Sequence, residues 1–187
     1  MKGLPGFAVL FVIVGIGWTA AAADNRPIQD FYGEYVGKSI AGTVSAAGDD
    51  AEITPRLLNV SIQPNGDGFT LVWLTITTGP NGNTKAKSHL VDFRPTARPG
   101  LFASAMRRDV NGNLVPLDPM SGDPYTWARI AGDTLTVHAL LVTDDGGYEV
   151  QVYDRTLTND GMDLTFQRFR DGVLMKEIVG KLARVED

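Results

Sequence analysis

The sequence predicts an all-β domain, an antiparallel up-and-down β-barrel of about 8–10 strands, on three observations: repeated hairpin dipeptides, apolar segments of strand length between them, and no helical periodicity beyond residue 23. The dipeptides are Asn65-Gly66, Asn81-Gly82, Asn111-Gly112, Asp145-Gly146, Asp160-Gly161 and Asp171-Gly172. Each supplies residues that tolerate the positive φ of the primed turns joining antiparallel strands. Between the turns, segments rich in Val, Ile, Leu, Thr and aromatic residues predict strands near 31–42, 56–63, 68–78, 85–94, 100–106, 125–130, 134–143, 147–157, 162–170 and 173–185.

Alternation supports these strands. Val60 and Ile62 alternate with Asn59, Ser61 and Gln63, and Leu164 and Phe166 alternate with Asp163, Thr165 and Gln167. So many hairpin-linked strands curl or close, because closure removes the exposed edges that invite aggregation. A two-sheet β-sandwich is the alternative. Segment 107–124, rich in Pro and Gly, predicts an excursion or lid, and segment 43–55 predicts another mobile loop.

The first residues predict export. Lys2 and the free amine precede an apolar stretch, Phe7 to Trp18, and Ala21-Ala22-Ala23 offers the small residues of a cleavage site. Residues 1–23 thus read as a signal peptide cut after Ala23, leaving 24–187 as a single β-barrel domain in the periplasm or secreted. The rival is an uncleaved anchor, since about 18 uncharged residues span a bilayer.

Composition narrows the functions. The whole chain has a formal charge of −5, and loss of Lys2 makes the remaining domain more acidic still. No nucleic-acid partner is expected, because phosphates need a basic surface. The chain has no cysteine, which excludes thiol nucleophiles, thiolate metal sites and lipid attachment through an N-terminal cysteine. Lys85, Lys87, Arg94, Arg155, Arg168, Lys176 and Lys181 fall within strands, and the chain ends Val185-Glu186-Asp187 without an aromatic. These features read against an integral membrane barrel, whose strands need a continuous lipid-facing apolar row.

Four groups of residues are candidate sites. Asp109, Asn111 and Asn113, with Asp118 beyond, resemble the start of a calcium loop. Leu114 stands where that loop needs glycine, and a hairpin tip explains the run with less, so no metal and no cofactor is expected. His89 and His138 each lie alone in a strand, as bases, ligands or plain strand residues. Segment 85–108 carries Lys85, Lys87, Arg94, Arg98, Arg107 and Arg108 against Asp92 alone, a bias that either directs an anion or merely keeps a strand face solvated. The aromatic set Trp73, Phe93, Phe102, Trp127, Tyr153 and Phe166 either fills a barrel core or lines an apolar cavity.

In the cavity reading the ligand-binding residues are Trp73, Phe93, Trp127, Tyr153 and Phe166, with Arg155 and Arg168 offered to a carboxylate. No G-x-S-x-G, S-x-x-K or serine beside a base supports nucleophilic catalysis, so an enzyme is not the expectation.

Asp30-Phe31-Tyr32-Gly33-Glu34-Tyr35 resembles the lipocalin opening Gly-x-Trp, with Tyr35 at the tryptophan position. Val142-Thr143-Asp144 followed by Tyr148 resembles the Thr-Asp-Tyr hairpin of that family, with Asp145 in place of its tyrosine. The resemblance implies a calycin-type barrel that binds a small hydrophobic or amphipathic ligand. It also implies that an arginine late in the barrel, Arg155 or Arg168, packs beneath the first strand. The alternative function is a structural or interaction module of the cell envelope, contacting a protein partner without a small-molecule ligand.

Overall fold

The computed structural model describes residues 25–42, 56–79, 81–104, 106–108, 111 and 113–186. The expected signal segment and the expected loop at 43–55 lie outside the described residues, as do Asp109 and Gly112 of the calcium-like run. The strands are β1 (Gly33–Gly42), β2 (Arg56–Asn65), β3 (Gly68–Thr78), β4 (Thr84–Pro95), β5 (Leu101–Ser104), β6 (Arg107–Arg108), β7 (Leu114–Val115), β8 (Tyr125–Ala131), β9 (Thr134–Val142), β10 (Tyr148–Leu157), β11 (Gly161–Arg170) and β12 (Val173–Arg184). All but β6 and β7 form one closed antiparallel barrel of ten strands in chain order, sealed by pairing of β12 with β1. The barrel, rather than the sandwich, is therefore the fold. No helix among the described residues is long and apolar enough to cross a membrane.

The side-chain period of two decides what faces inward. On β2, Leu58, Val60 and Ile62 are buried while Leu57, Asn59 and Gln63 are exposed. On β8 the buried set is Thr126, Ala128 and Ile130, so Tyr125, Trp127 and Arg129 face outward. The outer face toward one end is knitted by polar cross-strand pairs. Glu34 accepts from Ser61 at 2.5 Å and from Gln63 at 3.2 Å, and Asp154 accepts from Thr136 at 2.6 Å.

Where both residues are described, the turns follow the dipeptides with one difference. Asp171 at φ 47° and Gly172 at φ 81° make the tight β11–β12 turn as expected. Gly161, by contrast, opens β11 and serves close packing: a Cβ there would lie 2.0 Å from the Leu182 carbonyl oxygen on β12. The β10–β11 turn is closed instead by the Thr158 amide donating to the Gly161 carbonyl at 3.0 Å.

One end of the barrel is plugged. A 3-10 turn, Ile28–Phe31, follows Pro27 and buries Ile28 and Phe31 against the core. The segment before it is strapped to the β8–β9 turn, where the Gly132 amide donates to Asn25 at 3.0 Å and Arg26 pairs with Asp133 at 2.7 Å. Beneath the first strand, Tyr35 is fully buried and donates to the Phe31 carbonyl at 3.0 Å. The Arg184 guanidinium lies 5.3 Å from the Tyr35 ring centre and bonds the Tyr32 carbonyl and the Tyr35 hydroxyl, each at 2.7 Å.

The arginine packing under the first strand is thus Arg184, and neither Arg155 nor Arg168. The β1–β12 register sets Tyr35 opposite Arg184, whereas the other two arginines sit on strands that do not pair with β1. Above this plug the core is filled by Phe69, Phe93, Phe102, Leu71, Ile130, Leu135, Val137, Met162 and Leu182. Phe69 stacks on Phe93 at 4.9 Å and meets Phe102 edge-on at 5.2 Å, both favourable ring arrangements. A short 3-10 turn at Pro119–Ser121, just before β8, lies against β9 toward the opposite end. There Asp118 caps the turn, accepting from the Met120 amide at 3.0 Å and the Ser121 hydroxyl at 2.7 Å.

Candidate functional site: an aromatic cavity with a cationic lining

Inward positions change character along each strand. On β2 they run Ile62, Val60, Leu58, Arg56 from the plugged end toward the other; on β4, Phe93, Val91, His89, Lys87, Lys85; on β11, Met162, Leu164, Phe166, Arg168. Where the residues turn from apolar to cationic, the barrel is not filled. A cavity of about 390 Å³ opens there, within the size range of small-molecule sites.

Trp73, Tyr153 and Phe166 form its apolar walls. The ring of Tyr153 lies 5.2 Å from Trp73 and 4.7 Å from Phe166, and His89 stacks on Trp73 at 4.9 Å. Tyr153 donates to Gln151 at 2.7 Å, and burial pushes its hydroxyl up to about 12, so it stays a neutral donor.

At the floor sits Arg155. It is fully buried, and none of its three guanidinium nitrogens has a hydrogen-bond partner among the described residues. Its guanidinium carbon lies 5.4 Å from the Trp73 ring and 5.6 Å from the Tyr153 ring, so the aromatic faces give it partial electrostatic support. Burial lowers its pKa to about 10, which leaves it charged at neutral pH. The adjacent Asp154 points to the outer face, where Thr136 holds it.

Five of the expected ligand residues therefore meet in one cavity: Trp73, Tyr153, Arg155, Phe166 and Arg168. Two do not join them. Phe93 is fully buried in the filled end against Phe69. Trp127 lies on the outer face, stacked on His138 at 4.7 Å and bordering an open hollow with Tyr125, Leu101 and Arg98. The small inward residues of β8 explain this: Phe102 sits opposite Ala128 and already fills the interior there.

The two histidines fall on opposite sides of the sheet, His89 inside and His138 outside, so they share no site. Burial lowers both pKa values, with Lys87 adding to the effect at His89. Among the described residues no three His, Cys, Asp or Glu side chains are grouped to hold a metal ion.

Among the described side chains, the cations of segment 85–108 lie in different places. Lys85 and Lys87 line the cavity, whereas Arg94 reaches the Asn65 carbonyl at the plugged end. Their partners in the cavity are Arg56, Arg168 and Lys176, of which the sequence pattern flagged only Arg168 for binding. The missed pair carries a readable signal: extending the inward parity of Leu58 and Ile178 by one step lands on Arg56 and Lys176.

The fold and site define a closed, ten-stranded up-and-down barrel, plugged at one end and hollow toward the other, an architecture compatible with the calycin group. Comparison with protein-family models and with curated proteins finds no match.

Proposed function

We propose that this chain is an exported, lipocalin-like barrel that binds a small amphipathic molecule carrying a carboxylate or similar anion. The apolar body of the ligand lies against Trp73, Tyr153 and Phe166, and its anionic group meets Arg155. The observation that carries this reading is a guanidinium, without a hydrogen-bond partner among the described residues, at the floor of an aromatic cavity. Leaving a buried charge without a counter-charge costs several kcal/mol, whereas a planar guanidinium receives a carboxylate through two parallel hydrogen bonds. We read the barrel as working in water, because outward Glu34, Asp92, Asp154 and Asp163 lie on four different strands.

Native mass spectrometry of the protein recovered from its own cells tests the reading, together with titration of Trp73 fluorescence by decanoate. The expected outcome is a retained small-molecule mass and saturable quenching, both lost in Arg155→Met. A ligand-free mass with no response to decanoate removes the idea.

The second reading, an envelope interaction module, draws support from the segment after β5, whose Met120 is 81% exposed. It expects deletion of residues 109–121 to abolish capture of a protein partner; unchanged capture counts against it.

A further inference from the structure

Five cationic side chains, Arg56, Lys85, Lys87, Arg168 and Lys176, line the cavity beyond its aromatic walls. They come from four strands, and Arg168 and Lys176 are direct partners across the β11–β12 ladder. The carboxylate the structure sets against them is Glu149, 4.0 Å from Nε of Arg168 and itself accepting from Gln151 at 2.6 Å. Glu177 faces outward and accepts from Gln167 at 2.7 Å. Burial lowers the pKa of Lys176, and the nearby charges of Arg56, Arg168 and Lys87 lower it further, as expected of like charges crowded together.

A strand face kept soluble by charge points its cations into water. Here Arg56, Arg168 and Lys176 turn inward and are half-buried, while the outward positions beside them hold Leu57, 50% exposed, and Gln167; Lys85 and Lys87 stand exposed at the rim of the same cavity. Concentrating like charge inside a half-enclosed cavity is unfavourable unless an anion enters it.

We propose that this cluster is a second anion subsite, so that the ligand carries an anionic group at each end of an apolar spacer. The inference rests on the binding reading above. Arg155 and the level of Arg168, which pairs with Gln151, are four residues apart along β10. At about 3.3 Å per residue, foreshortened by barrel tilt, the two anionic groups stand about 10 Å apart. An α,ω-dicarboxylate or a similarly bifunctional anion matches that spacing, with Trp73, Tyr153 and Phe166 against its middle.

Calorimetric titration with three probes of nearly equal length tests this: decanedioate, its monomethyl ester and decanoate. The dianion is expected to bind about tenfold more tightly than the monoester, as a charge-assisted contact warrants. In the variant Arg56→Gln/Lys176→Gln the ratio of dianion to monoester affinity falls to near one. A ratio near one in the unaltered protein, or a ratio that survives in the variant, overturns the second subsite while leaving binding at Arg155 standing. Failure of all three probes overturns both. Should the variant not fold, the salt dependence of the unaltered protein decides: the dianion advantage must shrink as ionic strength rises.

Discussion

The plugged and hollow ends of this barrel are built from the same strands, yet their interiors obey different rules. Toward the plug, inward positions carry Phe69, Phe93, Ile62, Leu135 and Met162, all fully or almost fully buried and interlocked with Phe31 and Tyr35. Toward the other end, the same rows continue as Arg56, Lys87, Arg168 and Lys176, and apolar side chains such as Leu90, 65% exposed, stand on the outside. The first arrangement is what stability requires of a cysteine-free domain: burial and strand pairing carry everything. The second costs stability, because half-buried Arg56, Arg168 and Lys176 crowd together with Glu149, 4.0 Å from Arg168, as the carboxylate set against them among the described residues. The difference teaches that the filled half supports the fold, whereas the hollow half, on the binding reading proposed above, is shaped for a ligand.

The contrast can be broken at either end. Phe93→Ala empties the centre of the stacked cluster, and we expect a loss of about 3–5 kcal/mol in urea unfolding. Trp73→Ala, on the wall of an open cavity, should cost less than half as much and instead remove the decanoate response. Equal losses at the two positions would erase the distinction between the ends. Arg184→Met at the plug should cost about 2 kcal/mol, since a charged donor leaves the Tyr32 carbonyl and the Tyr35 hydroxyl together; calorimetric unfolding checks it.

The smallest effect is on pH dependence. Burial holds the folded-state pKa of His89 and His138 below the ordinary 6.5. The unfolded chain then takes up protons more readily, so this contribution to stability is complete above about pH 6.5 and is lost as pH falls through the lowered values. The groups facing His89 are the Trp73 ring and Lys87, and neither offers it a counter-charge. Urea midpoints from about pH 7.5 to about pH 5 should fall less steeply in His89→Gln than in the unaltered protein. Identical slopes would mean the imidazole is hydrated.

Much of the fold was legible because hairpins are local: Asn65-Gly66 and Asp171-Gly172 mark their turns without reference to the rest of the chain. Asp160-Gly161 misled as to detail, since its glycine answers the approach of β12, a distant neighbour. Within the site, residues on β10 and β11 were readable because Tyr153, Arg155, Phe166 and Arg168 share one clear parity. Trp127 was not, because both rows of β8 are acceptable as an inner face, and only the bulk of Phe102 across from Ala128 decides between them. Phe93 failed for a different reason: parity gives the face of a strand but not the height along the barrel at which filling stops. The same gap hid Arg56 and Lys176, and Arg184 was hidden by lying beyond the apolar part of its strand.

On the binding reading, Arg155 is held for an anion and not for the fold. Urea unfolding of Arg155→Met, without any added ligand, tests this most directly. Replacing an unpaired buried cation by an apolar side chain of similar length should leave stability equal or raise it by about 1–4 kcal/mol, while decanoate no longer binds. A loss of about 3 kcal/mol or more would show that the guanidinium is a structural member of the core, and would contradict the account.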